Sequence, residues 1–195
     1  MRVGLTGGIG AGKTEVAAIL ASLGAFIVDT DVLAREAVVA GSDGLTEVAR
    51  DWPQVVREGV LDRAALAEIV FADPQARGRL NALLHPHIRR LARKLEGNAA
   101  PGQLVVHVVP LLFETGYDGL VDKSIVVVAP LEYRVARLVA RDRSDEGRVR
   151  ARMAAQMDPH EAAGRADFVI DNDGDIRRLR ERTGAVYEAL RRSPP

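Results

Sequence analysis

Residues 4–14 read GLTGGIGAGKT: five glycines in eleven positions, closed by a lysine and a hydroxyl. No other stretch limits the fold so tightly. Upstream, Val3 and Leu5 mark a strand running into the loop. Downstream, KTEVAAILASLG places Val16, Ile19, Leu20 and Leu23 at helical spacing. The chain therefore opens as strand, glycine loop, helix. A turn alone needs one or two glycines. Five point to a backbone that adopts positive φ and that a ligand approaches closely.

Successive N–H groups in such a loop form an anion nest, and the helix adds its own free N–H groups and the positive end of its dipole. Gly7 to Thr14 fits G-x-x-x-x-G-K-[ST] residue for residue, the phosphate-binding P-loop. In that pattern Gly8, Ile9, Gly10, Ala11 and Gly12 cradle the phosphates, Lys13 reaches the β- and γ-phosphates, and Thr14 ligands Mg²⁺. The composition agrees. The chain has 24 arginines and three lysines, Lys13, Lys94 and Lys123, and one of the three sits where a compact ammonium is wanted.

A length of 195 residues suits one globular unit with room for an inserted lobe. The absence of cysteine excludes disulfides and thiolate metal sites, and it fits a reducing, cytoplasmic setting. A formal net charge of zero argues against a general nucleic-acid binder. No run of 18 apolar residues exists, and the N-terminus goes directly into a strand, so neither a membrane span nor a signal peptide is expected. The terminal RRSPP is expected to fray.

Short apolar runs at residues 3–5, 26–29, 104–109, 124–128 and 168–170 read as five strands. Most lack alternation, as parallel strands covered on both faces do. Helical stretches between them predict an α/β sheet with helices on both sides. The gap at about 31–103 reads as a helical insertion holding a second substrate. Within it, DRAALAEIVF and ARGRLNALLHPHIRRLARKL carry the apolar spacing, and Asp62 is placed to cap the first helix. Between the fourth and fifth strands, seven arginines from Arg134 to Arg152 face Asp142, Asp145 and Glu146. This is either a solvated helix face or a lid, about 140–160, that closes on a polyphosphate and supplies a cationic clamp, from Arg141 or a neighbour such as Arg137.

Two carboxylates stand out. VDTD closes the second strand, and on an extended chain Asp29 and Asp31 project to one side. Ligands of open α/β sheets bind beyond the carboxyl ends of the strands. There a carboxylate can orient a substrate hydroxyl, accept its proton, or hold Mg²⁺ through water. Asp31 can equally cap the helix DVLAREAVV. Glu114, after VVHVVPLLFE, either reaches substrate or metal or is a loop residue. His107 lies in an apolar run and reads as a core histidine. His85 precedes Pro86 at an expected helix break and, on the residues alone, reads as a turn histidine.

Taken in order, GLTGGIGAGKT, VDTDVLAR, GVLDRAALAEIVF, LLHPHI, VVPLLFE, RDR, RMAAQ and ADFVIDN resemble the dephospho-CoA kinase family along nearly the whole chain. The first piece alone marks only a P-loop protein; LLHPHI, PLLFE and ADFVIDN together make a specific set. The resemblance implies a P-loop NTPase fold, a three-layer α/β/α with a five-stranded parallel sheet, plus a helical CoA-binding insertion and a lid in one kinase chain, residues 1–195. It implies transfer of a phosphate from ATP, with Mg²⁺, to the ribose 3′-hydroxyl of dephospho-CoA. Asp31 matches the family's catalytic aspartate and Arg35 the arginine closing that motif, on the acceptor. His85 matches the histidine of its HP pair, with a role in the substrate site. Arg141 matches the lid arginine, Arg152 and Gln156 its R-x-x-x-Q, and Asn172 the asparagine near the adenine end. Thr30, Glu15 and the segment RDWPQVV depart from the usual pattern.

Two other functions share some of these features. Another small-molecule or nucleoside monophosphate kinase would use the same loop and lid. A nucleotide-switch module would lean on an N-K-x-D motif, which the sequence lacks.

Overall fold

The structure is a computed structural model that describes residues 1–143 and 145–193. It divides into two compact units, Met1–Asp29 with Ala99–Pro195, and Thr30–Asn98.

The first unit holds a five-stranded parallel sheet. Its strands are β1 (Arg2–Gly7), β2 (Phe26–Asp29), β5 (Val105–Val108), β6 (Lys123–Val128) and β7 (Phe168–Asp171), in the order β2-β5-β1-β6-β7. The valines and isoleucines of β6 show why the strands read as unbroken apolar runs. Ile125 and Val127 pack into one layer with α1 (Lys13–Ser22) and α9 (Ile176–Arg192), through Val16, Leu20, Leu179 and Leu190. Val126, between them, packs into the opposite layer with Leu112, Phe113 and Ala162 of α8 (Pro159–Arg165). Successive side chains of a strand point to opposite faces, so a sheet covered twice needs apolar residues at both parities. This is the expected three-layer α/β/α arrangement. The strand order reverses at β1, whose neighbours β5 and β6 lie on either side. The crevice past its carboxyl end is the topological switch point where such sheets bind ligands. The helices α6 (Leu131–Asp142) and α7 (Glu146–Ala154) lie between β6 and α8. Ser144, within the expected lid, and Pro194 and Pro195, within the expected frayed tail, lie outside the described residues. Arg191 and Arg192 of that tail are helical, in the last turn of α9.

The second unit contains α2 (Thr30–Glu36), α3 (Asp43–Asp51), α4 (Arg63–Ala72) and α5 (Pro74–Glu96). Its core gathers Val38, Leu45, Val48, Trp52, Val55 and Leu66. Asp62 caps α4 as expected, accepting from the Ala65 N–H at 3.0 Å. Two expectations fail here. The stretch at RDWPQVV is not all helical: β3 (Val56–Arg57) and β4 (Val60–Leu61) form an antiparallel hairpin. Glu58 and Gly59 turn it with φ of 51° and 74°, the positive pair that matches strand twist. Nor does the chain break at Pro86. α5 runs through it, although the proline nitrogen cannot donate to the Ala82 carbonyl.

Candidate active site

The glycine loop leaves β1 at Gly7 and enters α1 at Lys13. Gly10 and Gly12 have φ of 80° and 100°, conformations that other residues rarely adopt. The Ala11 N–H donates to the Gly8 carbonyl at 3.0 Å and closes the turn. Lys13 folds back over the loop, its Nζ donating to the Gly7 carbonyl at 2.7 Å. Thr14 is exposed in the first turn of α1.

Four side chains from outside fasten this backbone. Arg134 Nε donates to the Ile9 carbonyl at 3.0 Å, Arg137 Nη1 to the Gly10 carbonyl at 3.3 Å, and Asn172 Nδ2 to the Ala11 carbonyl at 2.8 Å. Gln156 Oε1 accepts from the Ile9 N–H at 2.8 Å. Asn172 is itself buried, and its backbone N–H donates to the Val128 carbonyl at the end of β6. Thus Gly8 to Thr14 and Asn172 come together, with the Asn172 amide nitrogen engaged by the loop. Arg134 was legible only as part of a basic run; its spacing of three from Arg137, on one helix face, was the available signal.

Glu114 also lies near the loop. It shares with Thr6, Gly8 and Gln156 the wall of a cavity of about 20 Å³, room for one water. Its Oε1 accepts from the Met157 N–H at 3.3 Å. His107 is a core histidine as read, buried, with Nδ1 2.9 Å from the Tyr117 hydroxyl.

Arg141 sits at the other end of α6 from Arg134. Its side chain is 64% exposed and pairs with Asp142 at 2.6 Å. Arg152 reaches the same carboxylate at 2.9 Å. The hydrogen bonds of Arg141 and Arg152 hold the Asp142 carboxyl down at about 2. The loop contacts from α6 are made by Arg134 and Arg137.

In the second unit, Asp31, Arg35 and Arg63 stand at an open cleft of about 430 Å³ whose walls include Leu66, Val70 and Leu84. Arg63 Nη2 donates to the Arg35 carbonyl at 3.1 Å. The extended geometry expected for Asp29 and Asp31 does not hold. β2 ends at Asp29, and Asp31 is already in the first turn of α2, where each residue rotates about 100° from the last. Asp31 is also past the capping position; its charge there suits the positive end of the helix dipole. His85, next to the lining Leu84, is not in the cleft wall. Because α5 is continuous, it is a half-buried helix residue and not a turn residue. Burial first, and the Arg89 charge second, push the His85 imidazole below its usual range and favour the neutral ring. His87, to which the sequence assigned nothing, ties α5 to α3 through Glu47, 3.1 Å away.

The strand order and the braced loop at the switch point define a P-loop NTPase of the α/β/α type. The family profile for dephospho-CoA kinase matches residues 1–178. The dephospho-CoA kinase of Thermobifida fusca is 42% identical over 194 residues, covering 98% of this chain and 97% of that one. Among solved structures, TT1252 from Thermus thermophilus superposes with a TM-score of 0.86 at 41% identity, covering 97% of both chains. A dephospho-CoA kinase from Campylobacter jejuni shares the fold, with a TM-score of 0.63 at 24% identity, covering 97% of this chain and 96% of that one. The chain belongs to the dephospho-CoA kinase family.

Proposed function

We propose that this chain transfers the γ-phosphate of ATP to the ribose 3′-hydroxyl of dephospho-CoA, giving coenzyme A and ADP, the last step of coenzyme A synthesis. Family membership across residues 1–178 carries the reading, and the braced P-loop supplies its chemistry. Phosphoryl transfer passes through a loose transition state, so positioning and charge neutralisation dominate the catalysis.

The amides of Gly8 to Thr14 and the Lys13 ammonium take the β- and γ-phosphates of ATP; the ammonium has three donors, so its bond to the Gly7 carbonyl leaves two for the phosphates. Among the described residues no group of three His, Cys, Asp or Glu is placed to hold a metal. Mg²⁺ would be held by the exposed Thr14 hydroxyl together with the ATP phosphates. When bound, Mg²⁺ neutralises charge on the transferring group. Arg141 is the lid cation of this reading. It reaches the phosphates by exchanging the exposed Asp142 pair for them as the segment at about 140–160 closes. Asn172 acts at the nucleotide through the Ala11 carbonyl.

On the acceptor side, Asp31 orients the 3′-hydroxyl and takes its proton. Arg35 and Arg63 suit the acceptor's diphosphate, and the apolar walls of the cleft suit its pantetheine arm. His85 supports the substrate site from α5 as a neutral ring. Glu114 is the alternative carboxylate, held near the loop by Met157. Among the described residues no helix is long and apolar enough to cross a membrane. The reading places the reaction in the cytoplasm with small-molecule partners, without nucleic acid or membrane.

The test is an acceptor panel with ATP and Mg²⁺. Dephospho-CoA should be phosphorylated at the ribose 3′ position, read by mass and ³¹P spectra, while nucleoside monophosphates and shikimate should not react. Turnover of a nucleoside monophosphate in place of dephospho-CoA would move the chain to the rival kinase class.

A further inference from the structure

The glycine loop is held from outside at three consecutive carbonyls, those of Ile9, Gly10 and Ala11. Across a planar trans peptide, the C=O of one residue and the N–H of the next point in opposite directions. Pinning the Ile9 and Ala11 oxygens therefore turns the Gly10 and Gly12 N–H groups toward the other side of the loop. The Ala11 N–H is different, because it closes the turn on Gly8.

The three braces are not equal. Arg137 is exposed and its bond is the longest, at 3.3 Å. Asn172 is neutral. Arg134 is a full cation that is only 5% exposed, and it sits directly behind the loop. Its guanidinium lies so close to Gly8 that a methyl group there would collide with Nη2 and Cζ. Among the described residues it makes no ion pair, and its hydrogen bond goes to a neutral carbonyl. Burying a cation without a carboxylate partner is costly. Burial lowers the Arg134 pKa, against the pull of the Asp158 charge, yet a guanidinium remains charged at any working pH. A fixed charge held in no ion pair, with only the Asp158 carboxylate acting on it at longer range, is favourable where an anion binds opposite it, and a polyphosphate on the far side of the loop is such an anion.

We propose that Arg134 is a positioning residue for the nucleotide: it holds the Ile9 peptide so that the loop amides face the phosphates, and its charge adds to the positive field there. The proposal rests on reading the loop as the ATP site. It assigns Arg134 no contact with the reacting atoms. It separates two jobs on α6, with Arg134 shaping the loop from behind and Arg141 serving as the mobile cation.

The experiment compares wild type, Arg134→Met and Arg134→Lys by calorimetric titration with ATP and ADP, by the two KM values with kcat, and by melting temperature. Arg134→Met should raise the Kd for ATP and ADP about tenfold to a hundredfold, the usual weight of a charged hydrogen bond. The KM for dephospho-CoA should stay within about twofold. Arg134→Lys keeps the charge but not the planar fork, so it should restore part of the nucleotide affinity. A merely structural arginine would lower the melting temperature and leave the folded variant's nucleotide affinity as in wild type; that result overturns the proposal. So does an equal rise in the two KM values. If Arg134→Met fails to fold, Arg134→Lys decides, with unchanged ATP affinity as the contrary result. A wild type that binds no ATP or leaves dephospho-CoA unphosphorylated defeats the functional reading itself. An active wild type with indifferent Arg134 variants defeats only this inference.

Discussion

The glycine loop and the cleft of the helical unit are built by opposite means. The loop is specified by directional bonds. Four side chains, from residues 125 to 161 positions away, each fasten a particular backbone atom of Ile9, Gly10 or Ala11. The cleft is shaped by apolar packing around Leu66 and Leu84, with Asp31, Arg35 and Arg63 set on it. Hydrogen-bonded backbone allows little adjustment, because each bond fixes an angle as well as a distance. Apolar walls tolerate small changes of shape. On the proposed reading, directional bonds shape the part that takes the phosphates and apolar packing shapes the part that takes the acceptor.

The largest effect belongs to Asp31. Asp31→Asn keeps the shape but cannot accept a proton, so kcat should fall about 10²–10⁴-fold, the usual range for a general base. Asp29→Asn, at the end of β2, should act through stability or affinity. If Asp29→Asn loses kcat and Asp31→Asn does not, the roles are reversed. If neither does, Glu114 is next. On the loop side, Lys13→Ala should retain the fold, by circular dichroism and melting temperature, and lose about 10²–10³-fold in turnover. Near-normal turnover by the folded variant would remove the loop from the chemistry.

The smallest effect contrasts the two ends of α6. Arg134 is buried, whereas the Asp142 pairs with Arg141 and Arg152 are exposed and salt-screened. The Asp142 carboxyl is depressed from 3.8 to about 2, so its pairs contribute above about pH 4 and are lost as pH falls through about 2. A carboxyl-carbon NMR titration at low salt should show that inflection, rising toward 3.8 as salt is added. An inflection at 3.8 at low salt would mean the pairs do not persist in solution.

Much of this architecture was legible because local signals agreed with the fold. The glycine pattern named the loop, apolar runs named the five strands, and Asp62 announced its helix cap. What was missed depended on tertiary context. Pro86 looks like a helix end but is carried through by the rest of α5. Glu58–Gly59 turns a hairpin without the usual asparagine. Asp31 was placed on an extended chain because nothing in VDTD shows where β2 gives way to α2. The bracing by Arg134 was invisible for a related reason: among 24 arginines, only the folded chain distinguishes the one whose guanidinium lies against Gly8 from the rest.

The separation of the two regions is tested most directly by the ATP dissociation constant of Asp31→Asn, measured by calorimetry with Mg²⁺ beside wild type. If Asp31 serves the acceptor and takes no part in holding the nucleotide, the variant binds ATP no more weakly than wild type while its kcat falls. A tenfold or greater weakening would place the Asp31 carboxylate in the nucleotide site and contradict that division.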